Sequence, residues 1–71
     1  MDREMQLRVL EEAERQIVEG ERHIAEQELI VVELDRDGHD VTEARRLLKN
    51  FYATQNLYIE HRNRIARELE Q

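Results

Sequence analysis

The chain contains no cysteine, proline, tryptophan or serine, and it has only two glycines among 71 residues. Each absence removes a class of protein. Without cysteine there is no disulfide framework, so a chain this short, which buries a small share of its surface, must draw stability from packing or from a partner. Without proline, and with Gly20 and Gly38 as the sole glycine breaks, nothing interrupts long helices. Without serine, the remaining hydroxyls Thr42 and Thr54 lack a convincing histidine partner for nucleophilic chemistry. No glycine-rich phosphate loop is present either. The expectation is a protein that is not an enzyme and that carries no cofactor. Long apolar runs are missing as well. The longest, Leu29 to Val32, is four residues, and the charged start Met1-Asp2-Arg3-Glu4-Met5 leads into no stretch of the length that a signal peptide or membrane span requires. A soluble cytoplasmic protein with no membrane partner is therefore expected.

What is present is a mirrored apolar pattern centred on Asp37-Gly38-His39-Asp40. Back from this turn, Leu34, Val31, Gln27, Ile24, Gly20, Ile17, Ala13 and Leu10 alternate by three and four. Forward from it, Val41, Ala44, Leu48, Phe51, Gln55, Tyr58, Arg62 and Ile65 do the same, equidistant from the turn pair by pair. Two long antiparallel helices folding back on one another produce this registration. The sequence predicts an all-α single domain over residues 1–71: helix 1 over about 3–36, a turn over 37–40 and helix 2 over about 41–69. The hairpin seam is Leu10, Ile17, Ile24 and Val31 against Ala44, Phe51, Tyr58 and Ile65.

Gly38 is the residue type that ends a helix in the left-handed conformation without steric cost. Asp40 is placed to cap the first-turn amides of helix 2, and Glu43 three residues later forms a capping-box-like pair. His39 lies between the two signals as an exposed loop residue. Along the seam, Gly20 faces Gln55, Ala13 faces Arg62 and Gln27 faces Leu48. The long stems can lie across small residues with their heads reaching the edge, and a polar seam residue selects register at some cost in stability.

Charge is unevenly divided. Residues 1–40 carry 13 acidic and 5 basic groups, a net of -8, whereas residues 41–71 carry 4 acidic and 6 basic, a net of +2. The halves attract, which favours pairing of helix 1 with helix 2 over the stacking of two acidic first helices. Apolar residues also spill outside the seam: Val18, Ala25, Leu29, Ile30 and Val32 on helix 1, Leu47, Tyr52, Ile59 and Ala66 on helix 2. One facing helix cannot cover them all, so the hairpin is expected to dimerise into a four-helix bundle, using a face that includes Val18, Ile30, Tyr52 and Ile59.

The histidines are the remaining candidates for neutral-pH chemistry. His23 has Glu19 and Glu26 within a turn, a spacing that can serve a metal, yet the Glu-x-x-His pairs of a di-iron bundle are missing, because Gly20 precedes His23 and Tyr58 precedes His61 by three. His61, beside Glu60 and Arg62, is placed at the bundle edge. No metal site is expected. A histidine midway along a dimeric hairpin is also similar to the phospho-accepting domain of sensor kinases, but His23-Ile24-Ala25-Glu26-Gln27 lacks that family's Arg-Thr-Pro continuation. Arg46, Lys49, Arg64 and Arg67 could line a basic strip on helix 2. This leaves, as an alternative, a small dimeric RNA- or DNA-binding regulator, similar to the helical-hairpin plasmid copy-number regulator, although the acidic face of helix 1 repels a polyanion.

The words Gly20-Glu21-Arg22-His23-Ile24, Leu34-Asp35-Arg36-Asp37-Gly38-His39-Asp40, Ala44-Arg45-Arg46-Leu47-Leu48 through Phe51, and His61-Arg62-Asn63-Arg64 carry a further likeness. Over about residues 17–69 the chain resembles a group of short bacterial proteins of uncharacterised function, often predicted to be helical hairpins. That resemblance implies a small bacterial protein in its own right and carries no activity or substrate. The functional expectation is a noncatalytic, self-associating helical module that also binds another, unidentified protein.

Overall fold

The computed structural model describes residues 2–71; Met1, with which the charged N-terminal stretch begins, lies outside the described residues. Those residues form two antiparallel helices, α1 (Arg3–Arg36) and α2 (Thr42–Glu70), in a rod of 54 × 14 × 13 Å. The all-α hairpin expected from the mirrored pattern is the fold.

Local chemistry explains both ends of α1. The Asp2 carboxylate accepts a hydrogen bond of 2.8 Å from the Met5 backbone N–H, satisfying one of the amides a helix start leaves open. Glu4 in the first turn and Arg36 in the last complement the helix dipole. At the far end Gly38 adopts φ 78°. The His39 N–H then donates to the Leu34 carbonyl at 2.9 Å and the Gly38 N–H to the Asp35 carbonyl at 3.1 Å, the paired bonds of a Schellman cap.

The start of α2 differs by one residue from expectation. The Val41 carbonyl accepts the first intrahelical bond, from the Arg45 N–H at 2.9 Å, so Val41 rather than Asp40 occupies the cap position. Asp40 acts from one residue further out: its Oδ1 accepts from the Thr42 N–H at 2.9 Å and from the Thr42 hydroxyl at 2.7 Å. Glu43 does not complete a capping box. It turns along the helix to pair with Arg46, because a charge-assisted bond to a guanidinium one turn away outcompetes a reach back to a backbone amide already near water. The helix also runs one residue further than expected, to Glu70.

Packing between the helices is thin. Ile17 and Ile65 are the two seam residues that are buried; Leu10, Ile24, Val31, Ala44, Phe51 and Tyr58 are half-buried. A small core of Ala13, Ile65 and Leu69, with Val9 and Leu10 against it, closes the end remote from the turn. Leu69 lies beyond the seam read from the sequence, although it continues the column Val41, Leu48, Gln55 and Arg62 by one more heptad and was detectable from that repeat.

Polar groups tie the rest together, and in a different way from the edge-reaching stems expected. Gln27 and Gln55 are only 6% and 7% exposed. Gln27 Nε2 donates to the Ala44 carbonyl at 2.9 Å, and Gln55 Nε2 donates to the Ile17 carbonyl at 2.8 Å, so each helix sends one amide into the backbone of the other. At the open end, Arg3 donates to the Leu69 carbonyl at 3.1 Å. The five ion pairs among the described residues, by contrast, all join neighbours in sequence. Opposite charge on the two halves therefore acts at longer range and is weakened by salt.

Candidate functional site

Helical phase divides the rod into two sides. On the first, α1 presents the heptad stripe Val9, Gln16, His23 and Ile30, and α2 presents Leu47, Thr54, His61 and Glu68. On the second, α1 presents Glu14, Glu21, Glu28 and Asp35, and α2 presents Arg45, Tyr52, Ile59 and Ala66. His23 and Glu28 are five residues apart, about 140° around a helix that turns about 100° per residue, which is why they serve different sides.

Three shallow grooves between the helices lie on the first side. One joins Gly20 and His23 to Thr54 and Tyr58, a second joins Val9 to His61 and Ile65, and a third joins His23 and Ile30 to Phe51. The His23 ring packs on Phe51, with centroids 6.1 Å apart and planes tilted by 36°. Volumes of 200, 260 and 290 Å³ fall below the roughly 300–1,000 Å³ of sites that engulf small molecules, and the grooves are open along the rod. Their chemistry suits side chains from another surface.

On the second side, the Tyr52 hydroxyl donates to a Glu28 carboxylate oxygen at 2.8 Å. That hydrogen bond, with smaller contributions from desolvation and the Glu28 charge, raises the phenol above its ordinary pKa. In the turn, the Thr42 backbone N–H and then its hydroxyl hold the Asp40 carboxyl below its ordinary value.

The residues read from the sequence are distributed unequally over this geometry. Gly38, His39 and Asp40 meet in the turn as expected. Tyr52 and Ile59 share the second side, and Val18 lies on the back of α1 adjoining it. Ile30 does not join them, because it is set seven residues from His23 and so turns to the first side. The four residues of the expected dimer face therefore do not form one patch. The basic strip is interrupted too. Arg46 is paired with Glu43, and Lys49 is separated from Arg64 by 15 residues, about 22 Å of helix, so the four cations sit in two groups at opposite ends of α2. His23, Glu19 and Glu26 do not gather with further ligands: among the described residues no group of three or more such side chains is positioned for a metal. No helix there is long and apolar enough to cross a membrane.

Several large apolar side chains remain in the open. Val18, Leu29 and Val32 on the back of α1 are 65%, 57% and 59% exposed, and they fall on one stripe with Ala25 and Arg22 at alternating spacings of four and three. Ile30, Leu47 and Leu57 flank the grooved side and are also exposed. Compared with protein-family models, with curated proteins and with solved structures, the chain matches none.

Proposed function

We propose that this protein is a noncatalytic, self-associating helical module whose work is the binding of other polypeptide surfaces, first a second copy of itself. The observation that carries the reading is an excess of surface. The hairpin exposes 5614 Å², whereas a compact monomer of 8.6 kDa exposes about 4,700 Å². The excess of about 900 Å² per chain is close to the roughly 800 Å² that each partner contributes to a standard protein interface. Its radius of gyration, 16.3 Å, exceeds the roughly 11 Å of a compact chain of this length for the same reason. A rod two helices wide has no third surface to shield its flanks, and a second rod laid alongside supplies one.

Self-association also accounts for the composition. A seam built on two glutamines and a glycine buries little apolar area, so stability must come from residues that the lone hairpin leaves open. The stripe Val18, Ala25, Leu29 and Val32 lies on the outer face of α1 and is a surface for a further protein once the bundle has formed.

Size-exclusion chromatography with light scattering at micromolar concentration tests the reading. The expected particle has twice the 8.6 kDa chain mass. A stably folded, helical monomer under those conditions refutes self-association.

A further inference from the structure

The self-association just proposed leaves open which side of the rod is used and how two rods align. We infer that a second copy of this chain docks on the grooved side, with the two-fold axis parallel to the helices, so that both turns lie at the same end and α1 of each copy covers α2 of the other.

Desolvation selects the side. On the grooved side two carboxylates line the grooves, Glu26 and Glu68, the second beside Arg64, among Val9, His23 and Ile30 on α1 and Thr54 and His61 on α2. The other side carries four carboxylates on α1 alone, Glu14, Glu21, Glu28 and Asp35. Placing ionised groups in an interface is costly unless each finds a partner, and α2 offers one cation, Arg45, on that side. Relief agrees with charge. Ile30, 45% exposed, lines the groove at His23, and helical phase sets Leu47 and Leu57, 44% and 64% exposed, toward the same side from α2. A surface with both depressions and projecting apolar side chains can interdigitate with its own copy, as an isologous interface requires.

Charge also selects the alignment. Two rods related by an axis across the helices would lay α1 on α1, a half with net charge -8 against another of -8; an axis along the helices lays it on a half with +2. In the second arrangement residues equidistant from the turn are level with one another. Glu12 then lies within one residue of the level of Arg64, Glu19 of Leu57 and Glu26 of Asn50, while Glu33 lies near Glu43, whose charge Arg46 already offsets. Like-charge rows are thereby kept apart, and register along the rod follows from the same pairing.

The experiment needs no disruption of the fold. Because the chain contains no cysteine, a His39→Cys variant carries one spin label per chain, in the exposed turn. Double electron–electron resonance is expected to give a label separation below about 30 Å, the reach of two labels on helices packed about 10 Å apart. A separation near the 54 Å rod length overturns the alignment. The side is tested by sedimentation equilibrium of Leu47→Asp and Ile59→Asp, on the grooved and opposite sides. Leu47→Asp is expected to weaken dimerisation by about tenfold or more, the scale of a buried interface anchor, and Ile59→Asp by less than about threefold. The reverse ranking, or equal effects, overturns the side while leaving self-association standing; a wild-type chain that is monomeric and helical overturns both. Circular dichroism of each variant at matched concentration separates lost association from lost helix, and if Leu47→Asp unfolds, the same ranking is read from Leu57→Asp.

Discussion

Replacing Gly20 by alanine changes two quantities of opposite sign, and their balance reports whether Gln55 sits where the structure places it. In a helix free of neighbours, the substitution stabilises by about 1 kcal/mol. Here an added Cβ would lie 1.7 Å from Gln55 Oε1 and 2.7 Å from its Cδ, so the amide must swing out. That breaks its bond to the Ile17 carbonyl, a net loss of about 1 kcal/mol, and exposes two buried methylenes at about 0.8 kcal/mol each. Part is recovered, since Oε1 has no hydrogen-bond partner among the described residues and regains water, worth about 1 kcal/mol. The sum is a destabilisation of about 0.5–1 kcal/mol in place of the expected gain. In a Gln55→Ala background the obstruction is gone, and Gly20→Ala should stabilise by about 1 kcal/mol. The coupling energy of the cycle is therefore about 1.5–2 kcal/mol. Urea unfolding followed by far-ultraviolet circular dichroism, at one fixed protein concentration because association adds to apparent stability, measures all four corners. Equal stabilisation by Gly20→Ala in both backgrounds, a coupling below about 0.5 kcal/mol, would refute the placement of Gln55 over Gly20.

Three further outcomes follow from the turn and from the carboxylate-lined side. Gly38→Ala should cost about 1–2 kcal/mol, all of it backbone, because φ is 78° and nothing lies within 4 Å of the added methyl; an unchanged urea midpoint would show that helix α1 ends some other way. Tyr52 donates to Glu28 as a neutral phenol and its pKa is raised, so its contribution is present below the unfolded value of about 10 and disappears as pH climbs through the folded value. Ultraviolet titration of the tyrosines should show one phenol ionising late, and Glu28→Gln should bring it back; a titration insensitive to that substitution contradicts the contact. Asp40 has the opposite sign: its folded pKa is depressed, so its contribution is present above the unfolded value of about 3.9 and is lost as pH falls through the folded one. An Asp40→Asn chain should lack that component of acid destabilisation, and acid unfolding identical to the parent would assign the bond no role.

Which features could be read from the sequence depends on what helical periodicity encodes. Spacing by three and four sets which residues meet across a hairpin, so the two helices, the Gly38 turn and the partnership of Gly20 with Gln55 were all visible in the chain. Periodicity does not set rotamers. Whether a seam glutamine snorkels or stays inside depends on a carbonyl of the facing helix offering its second lone pair within reach, and for Gln27 and Gln55 the Ala44 and Ile17 carbonyls do so. Nor does a count of surplus apolar residues say which side they occupy: Ile30 and Tyr52 look alike as flanks until their phases are compared. The shift of the α2 cap from Asp40 to Val41 is of the same kind, because an aspartate can reach the first-turn amides from either of two positions.

Register in this rod is held by agreement between two separate devices. A seam of apolar residues repeating every seven positions tolerates a slide of one helix past the other by seven, since each apolar residue would meet another of its kind. The glutamines do not tolerate it. Such a slide would carry Gln55 away from Gly20 to Ala13 or Gln27, where a Cβ occupies the space its amide now fills. The turn imposes the same register from the other end, because moving the seam by seven would take Gly38 out of the cap position, the one place among the described residues where φ is positive. Local turn chemistry and long-range packing thus select one alignment, the consistency that separates a single native state from an ensemble of slipped hairpins. A buried, half-satisfied glutamine costs stability, and here that cost is exchanged for uniqueness: in this register the Gln55 amide lies over Gly20, where there is no Cβ to exclude it.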